Sequence, residues 1–400
     1  MTLLKKLNSY KIFRHSHTEP NEFYDSLIVV PNRIAKIIGL NVFSENYKVL
    51  TWNWFSLIMM ISVYFYCTAI TAYEVRFDTG DLIYCLVEGG IGIQGLAKIY
   101  TYLVYRKELV WIHQYTKQLY HEACNDQTKS MLMDNIFLLK VAIIVMLMCY
   151  AFTSISLITA PMLFSIMTGE KILPFGFYIP NMDRTEWFGY LINYAVHLYD
   201  TIYVSAEDMA ADTIYMITML SAFTQIDLLM MSLKETSRML DKDEKDDENL
   251  QAHLALVIKR HEEHLKYLRT VETVYRFYFF ITFVSLASVL IMALFAVVTL
   301  SWYQGYIFVG FISYELFFGC FLGTLLDIKN EQLQHEIYQI SWYKLSIRNQ
   351  NALRFMLQAS QEPICLTIIF APLNMPTFLQ VYKSIYSMFT MLLSFQEEAN

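Results

Sequence analysis

The 400-residue sequence predicts an all-α membrane protein. Seven transmembrane helices, a cytoplasmic N-terminus and an extracellular C-terminus are joined to an intracellular helical anchor bundle. Three observations carry this expectation. The chain is 56% hydrophobic and 16% aromatic but only 17% charged, a composition foreign to soluble domains. Its apolar residues gather in blocks long enough to cross a hydrocarbon core of ~30 Å at ~1.5 Å per residue. Its basic residues concentrate in alternate connections, which sets orientation.

Residues 1–50 mix charges, Pro20, Pro31 and apolar pairs without an apolar core. They read as a cytoplasmic N-terminal region with no cleavable signal peptide and an amphipathic helix near 21–40. Apolar blocks follow near 51–73, 81–104, 136–159, 188–220, 275–300, 303–326 and 376–396. The second, fourth and seventh are weaker because they contain Glu88, the acids Asp200, Glu207, Asp208 and Asp212, and Lys383. Residues 51–330 thus hold spans one to six with their cytoplasmic extensions, 331–375 hold anchor helices, and 376–400 form the last span and the C-terminus.

Span four outruns a bilayer, because from Trp187 to about Leu240 no proline occurs and no glycine after Gly189. The run Asp241 to Glu248 interrupts it, and Asn249 to Val274 resumes a helical pattern. Glu331 to Gln361 is amphipathic and too polar to insert. Of the 30 Lys and Arg, 25 fall in the segments assigned to the cytoplasm, including five from Lys98 to Lys129, against 3 in the segments between. The resulting topology is the reverse of a G-protein-coupled receptor, so no G protein is required.

Several function classes are excluded. A net charge of −7 with no basic block or Gly-rich phosphate loop argues against nucleic acid. The six cysteines are scattered without a CxxC pair, which supports neither a disulfide framework nor a metal site. His261-Glu-Glu-His264 is read as a solvated helical face rather than a metal clasp. No nucleophile-base set or carboxylate pair supports an enzyme, and no cofactor is expected.

Intramembrane acids are functional candidates by default. Glu88 and the span-four acids could mark a ligand or ion pathway, or pair structurally in a wet crevice; for Asp212 the structural reading is favoured. In span seven, Thr377, Gln380, Ser384, Ser387, Met391 and Ser394 recur at helical steps. Such a stripe either lines water or packs closely against another helix.

At Tyr338-x3-Trp342-Tyr343, Arg354-Phe-Met-x3-Ser360-Gln361-x-Pro363 and Tyr386-Ser-Met-Phe389 the chain resembles the insect odorant receptor family. Upstream features agree: Leu173-Pro174-Phe175, Asp212 thirteen residues before Gln225, His261, and Glu315-Leu-Phe-x2-Cys320-x2-Gly323. Departures are Glu315 and His197, where glutamine is usual, and Met388 in place of an aromatic. The resemblance implies an odorant-gated, non-selective cation channel in the plasma membrane of olfactory sensory neuron dendrites. It implies a tetramer with coreceptor subunits, a small volatile apolar ligand and permeating cations. The compact connection between spans four and five marks an odorant-tuned subunit, because the coreceptor's is much longer.

It also implies site residues. The ligand pocket would draw on Tyr84 and Val87, on Phe152, Ser156 and Leu157, on Tyr194, His197, Tyr199, Thr201 and Tyr203, and on Tyr303, Tyr306 and Val309. Met388, Leu392 and Gln396 would line the pore, with Leu392 at a hydrophobic constriction. Tyr338, Trp342, Tyr343, Arg354 and Gln361 would anchor subunits to one another. A gustatory-type channel and, from another class, a secondary transporter are the alternatives; the transporter would show repeat symmetry between halves, which the sequence lacks.

Overall fold

The structure, a computed structural model, describes residues 18–40, 43, 51–121, 125–241, 247–300, 302 and 305–399. The first basic residues, positions 242–246 of the acidic run, and Tyr303 lie outside the described residues.

Helix α1, Pro20–Ile37, begins on a proline, whose missing N–H costs nothing at a first helical turn. It buries Phe23, Tyr24, Leu27 and Ile28 against the bundle, with the Tyr24 ring stacked on Tyr120 at 4.8 Å. Helix α2, Trp52–Glu74, is capped by the Thr51 hydroxyl, which accepts from the Trp54 amide at 3.3 Å. Helix α3, Thr79–Val104, is capped by the Asp78 carboxylate, which accepts from the Gly80 and Asp81 amides at 3.0 and 3.2 Å. After the cytoplasmic helix α4, Arg106–His121, the 43-residue helix α5 runs over Asp126–Thr168 and stops at Gly169, whose φ of 76° suits glycine.

Helix α6, Trp187–Asp241, has 55 residues, α7, Asp247–Thr299, has 53, and α8, Gly305–Gln339, has 35. A bilayer needs about 20, so all three project well beyond it, as the uninterrupted helical patterns predict. A 3₁₀ turn at Trp342–Lys344 leads to α9, Ile347–Gln361, and then α10, Met375–Ala399. Among the described residues, α2, α3, α5, α6, α7 and α8 are long and apolar enough to cross a membrane. The 25-residue α10 is not among these six and corresponds to the seventh span expected from the sequence.

Helix α6 is the central pillar. Nearly every residue from Ala206 to Ile226 is buried, because small and apolar residues surround its axis and let neighbours approach on all sides. Helix α3 lies along α7; α5, α7 and α8 pack on α6; and α10 packs on α7 and α8. The start of α10 is fixed at Gly323 of α8, where an added Cβ would lie 1.8 Å from the Leu373 carbonyl oxygen. The Met375 amide then donates to Thr324 Oγ1 at 2.8 Å.

Three expectations need correction. Lys98 is not a loop charge: it lies inside α3, fully buried, and removing it from the tally leaves 24 basic residues against 3 and the same orientation. The boundary placed at 330 falls inside α8, which runs unbroken from Gly305 to Gln339 through its three interior glycines. His261 and His264 do not face solvent; they are 3% and 1% exposed, since α7 packs on both sides where it runs beside α6 and α9. His264 Nδ1 sits 2.9 Å from Gln225 Oε1. Burial pushes His261 down to about 4 and His264 down to about 3. Among the described residues no cluster of metal-ligating groups forms, and the cysteines at 67, 85, 149, 320 and 365 are free.

Candidate functional site

A cavity of about 70 Å³ opens within the outer half of the bundle. Helix α3 contributes Glu88, Ile91 and Gln94, and α5 contributes Tyr150, Thr153, Ser154 and Leu157. From α6 come Asp200, Thr201, Val204, Ser205 and Asp208, and from α8 come Phe308, Phe311 and Ile312. Tyr64 of α2, Leu286 of α7 and Phe175 of the second outer connection close it. On α5 the lining positions 150, 153, 154 and 157 form one helical face.

The connection from Glu170 to Glu186 folds inward as a lid. The Tyr178 amide donates to Thr71 Oγ1 at 3.1 Å, and the Ile179 amide donates to Asn193 Oδ1 at 2.7 Å. Phe177 is fully buried against Tyr64 and His197. Gly176 passes so close to α3 that an added Cβ would lie 2.6 Å from Tyr84 Cβ.

A charged network lies beneath the cavity, which it meets through Gln94, Tyr150 and Asp208. Lys98 Nζ donates to Asp208 Oδ1 at 2.5 Å and to Glu315 Oε1 at 2.8 Å, and lies 3.7 Å from Asp212 Oδ1. Tyr278 donates to Asp212 Oδ1 at 2.9 Å, Tyr150 donates to Asp212 Oδ2, and Gln94 donates to Glu315 Oε1. A lone charge in this setting would be strongly disfavoured, and the carboxyl groups gathered around Lys98 compensate it. Asp212 is therefore a structural partner, as expected. Glu315, where the resemblance leads one to expect glutamine, is a direct partner of Lys98.

The structure brings some expected pocket residues together and separates others. Leu157 and Thr201 line the cavity. Val87 is buried one residue from Glu88 but is not part of the wall, and Tyr84 instead meets the Trp302 ring at 5.1 Å. Phe152 and Tyr306 point outward, 72% and 64% exposed, and Ser156 also lies off the lining face of α5. His197 packs beneath the lid with Nε2 3.0 Å from the Phe177 carbonyl oxygen. Tyr199 and Tyr203 turn toward α2, sharing Ser56 Oγ at 2.5 and 2.7 Å, and Tyr194 donates to the Ile158 carbonyl. Val309 is half-buried beside the wall residue Phe308, and Tyr303 lies outside the described residues. The sequence singled out Glu88, Asp200 and Asp208 by their charge. It gave no signal for Tyr64, Phe308 or Phe311, whose helix faces are fixed only by packing.

Residues 88–386 match the family described as 7tm Odorant receptor. The chain belongs to this seven-transmembrane odorant receptor family. The receptor is 24% identical to a Drosophila melanogaster protein that bears the name odorant receptor 83c, over 94% of this chain and 98% of that one. Its fold matches the olfactory receptor OR5 of Machilis hrabei in complex with eugenol, at a TM-score of 0.78 and 14% identity over 93% of this chain and 99% of that one. The same Machilis receptor solved without that description of a complex gives 0.77, again at 14% identity, over 92% and 99%. The family is one of multi-pass membrane receptors rather than enzymes.

Two further regions of the receptor are open in the single chain. At the cytoplasmic end, Tyr338, Trp342, Tyr343, Ile347 and Phe355 are 50–78% exposed, and Arg354 and Gln361 are exposed beside them. On α10, Ile385 is buried against the bundle. Leu392, seven residues on, continues nearly the same face past the packed part of the helix, flanked by Met388 and Gln396. Met388 is 54% exposed and Leu392 36%; Ser384, Ser387 and Ser394 are also exposed.

Proposed function

We propose that this receptor is the odorant-binding subunit of a heteromeric, odorant-gated, non-selective cation channel. The carrying observation is one continuous helix that joins the cavity to the last span. Helix α8 lines the cavity through Phe308, Phe311 and Ile312, and about three turns beyond Ile312 it holds the start of α10 at Gly323 and Thr324. A ligand that favours one position of α8 thereby favours one position of α10, and only a difference in affinity between the two states does work.

The ligand site is the lidded cavity, with Leu157 and Thr201 as its expected members and Glu88, Asp200 and Ser205 added. The eugenol complex of the Machilis receptor supports a small organic molecule as the ligand class. Met388, Leu392 and Gln396 face the conducting path, with Leu392 as a hydrophobic gate. The exposed aromatic surface at Tyr338, Trp342 and Tyr343, with Arg354 and Gln361, is an assembly surface for coreceptor subunits in a tetramer. The short connection between α6 and α7 fits the odorant-tuned role. The assembly would sit in the plasma membrane of olfactory neuron dendrites.

Co-expression with and without a coreceptor, recording current while volatiles are applied, tests this reading. Ligand-evoked cation current only in the co-expressing cells is the expected result; steady uptake without channel conductance would refute it.

A further inference from the structure

We infer that the cavity is built for a small aliphatic amine, held by Asp200 and Glu88, rather than for a neutral odorant. The inference rests on the reading of this cavity as the ligand site. Glu88 of α3 and Asp200 of α6 line it from different helices and are 4% and 2% exposed. Asp200 Oδ2 has no hydrogen-bond partner among the described residues. No lysine, arginine or histidine lines the cavity. The nearest cation, Lys98, is already held by Asp208 and Glu315 at 2.5 and 2.8 Å.

The neutral donors around the cavity are committed elsewhere. Tyr64 donates to the Glu88 backbone carbonyl at 2.5 Å, not to either carboxylate. Thr201 donates to the His197 carbonyl at 2.7 Å, and Thr153 donates to the Cys149 carbonyl at 3.0 Å. Ser154 and Ser205 pair with each other at 2.6 Å. What remains unspent is acceptor capacity on two buried carboxyl groups, so a complementary ligand brings donors, and one that also carries positive charge answers both groups at once. An ammonium supplies three N–H donors in one compact group. An alcohol supplies one and leaves the second carboxylate unanswered.

Size narrows the class further. A cavity of about 70 Å³ has room for only a short-chain ligand. The walls opposite the acids are apolar, with Leu157, Leu286 and Phe311 able to enclose a short alkyl chain.

The test uses the full-length receptor in lipid nanodiscs, with n-butylamine and 1-butanol as probes of equal heavy-atom number, reading ligand-induced thermal stabilisation. The receptor should bind butylamine at least tenfold tighter than butanol. D200N should remove about tenfold or more of the amine affinity while leaving that for butanol. E88Q provides a second arm should D200N fail to reach the nanodisc preparation. Equal affinity for the two probes, or amine affinity unchanged in both variants, would overturn the inference. L157W, which fills the wall, separates this failure from failure of the site itself. If it abolishes responses to neutral volatiles while butylamine never binds, the site stands and the amine class falls. If it alters no ligand's response, the cavity is not the ligand site and both fall.

Discussion

At the residue scale, Lys98 shows how one buried cation organises three helices. It joins α3 to Asp208 and Asp212 of α6 and to Glu315 of α8, with its own side chain fully buried. Replacing it with methionine keeps the volume but leaves three carboxyl groups facing one another. K98M should destabilise the fold by about 3–5 kcal/mol, read as a lower thermal midpoint and loss of surface expression. E315Q should cost less, because Asp208 still holds the ammonium. The buried histidines make a separate prediction outside the membrane. Their folded values, about 4 for His261 and about 3 for His264, lie below the ~6.5 of an unfolded histidine. On acidification the unfolded chain therefore binds protons first. Their contribution is fully present above about pH 6.5 and is lost progressively as pH falls through 4 toward 3. Replacing both with glutamine should flatten the acid limb of a stability-against-pH curve in that window; an unchanged slope would show that these histidines do not set it.

At the element scale, helix phase decides which side chains share a site. The helices that the resemblance implied for a ligand pocket also line the cavity, but Phe152 and Tyr306 lie on faces that point away from it. An aromatic one position off the lining face of α5 carries the same sequence signal as one on it. The contact between α8 and α10 is set just as locally. G323V would drive a side chain into the Leu373 carbonyl, a backbone atom that cannot swing aside, and so displace the start of α10. The expected result is loss of ligand-evoked current with ligand binding retained. For α10 itself, thiol reagents should change the current of L392C; reaction at S387C and S394C with none at L392C would place the serine stripe on the conducting side instead.

For the whole molecule, the question is what covers the surface that the single chain leaves open. Tyr338, Trp342, Tyr343 and Phe355 leave an exposed aromatic surface before and along α9, which on the proposed reading a partner subunit covers. W342E should leave the monomer's melting behaviour nearly unchanged, because Trp342 is half exposed. It should also reduce co-purification of a co-expressed coreceptor at least tenfold, as expected for an aromatic interface anchor worth about 2 kcal/mol. The central pillar α6 links this cytoplasmic end to the cavity in one unbroken helix of 55 residues.

The sequence by itself determined the helical membrane class, the spans, their orientation, the long projection of α6 and the family, because each rests on chain-local quantities. Apolar block length, charge bias and motif order need no tertiary contact to be read. It also marked Glu88, Asp200 and Asp208, since a charge within an apolar span is conspicuous wherever it points. The tertiary structure alone decided that Lys98 is a buried partner rather than a loop charge, and that His261 and His264 are interior. It alone turned Phe152 outward and brought Tyr64, Phe175 and Phe311 to one cavity. The physical reason is that a helix repeats every 3.6 residues, so its rotation is set by what packs against it and not by its own composition.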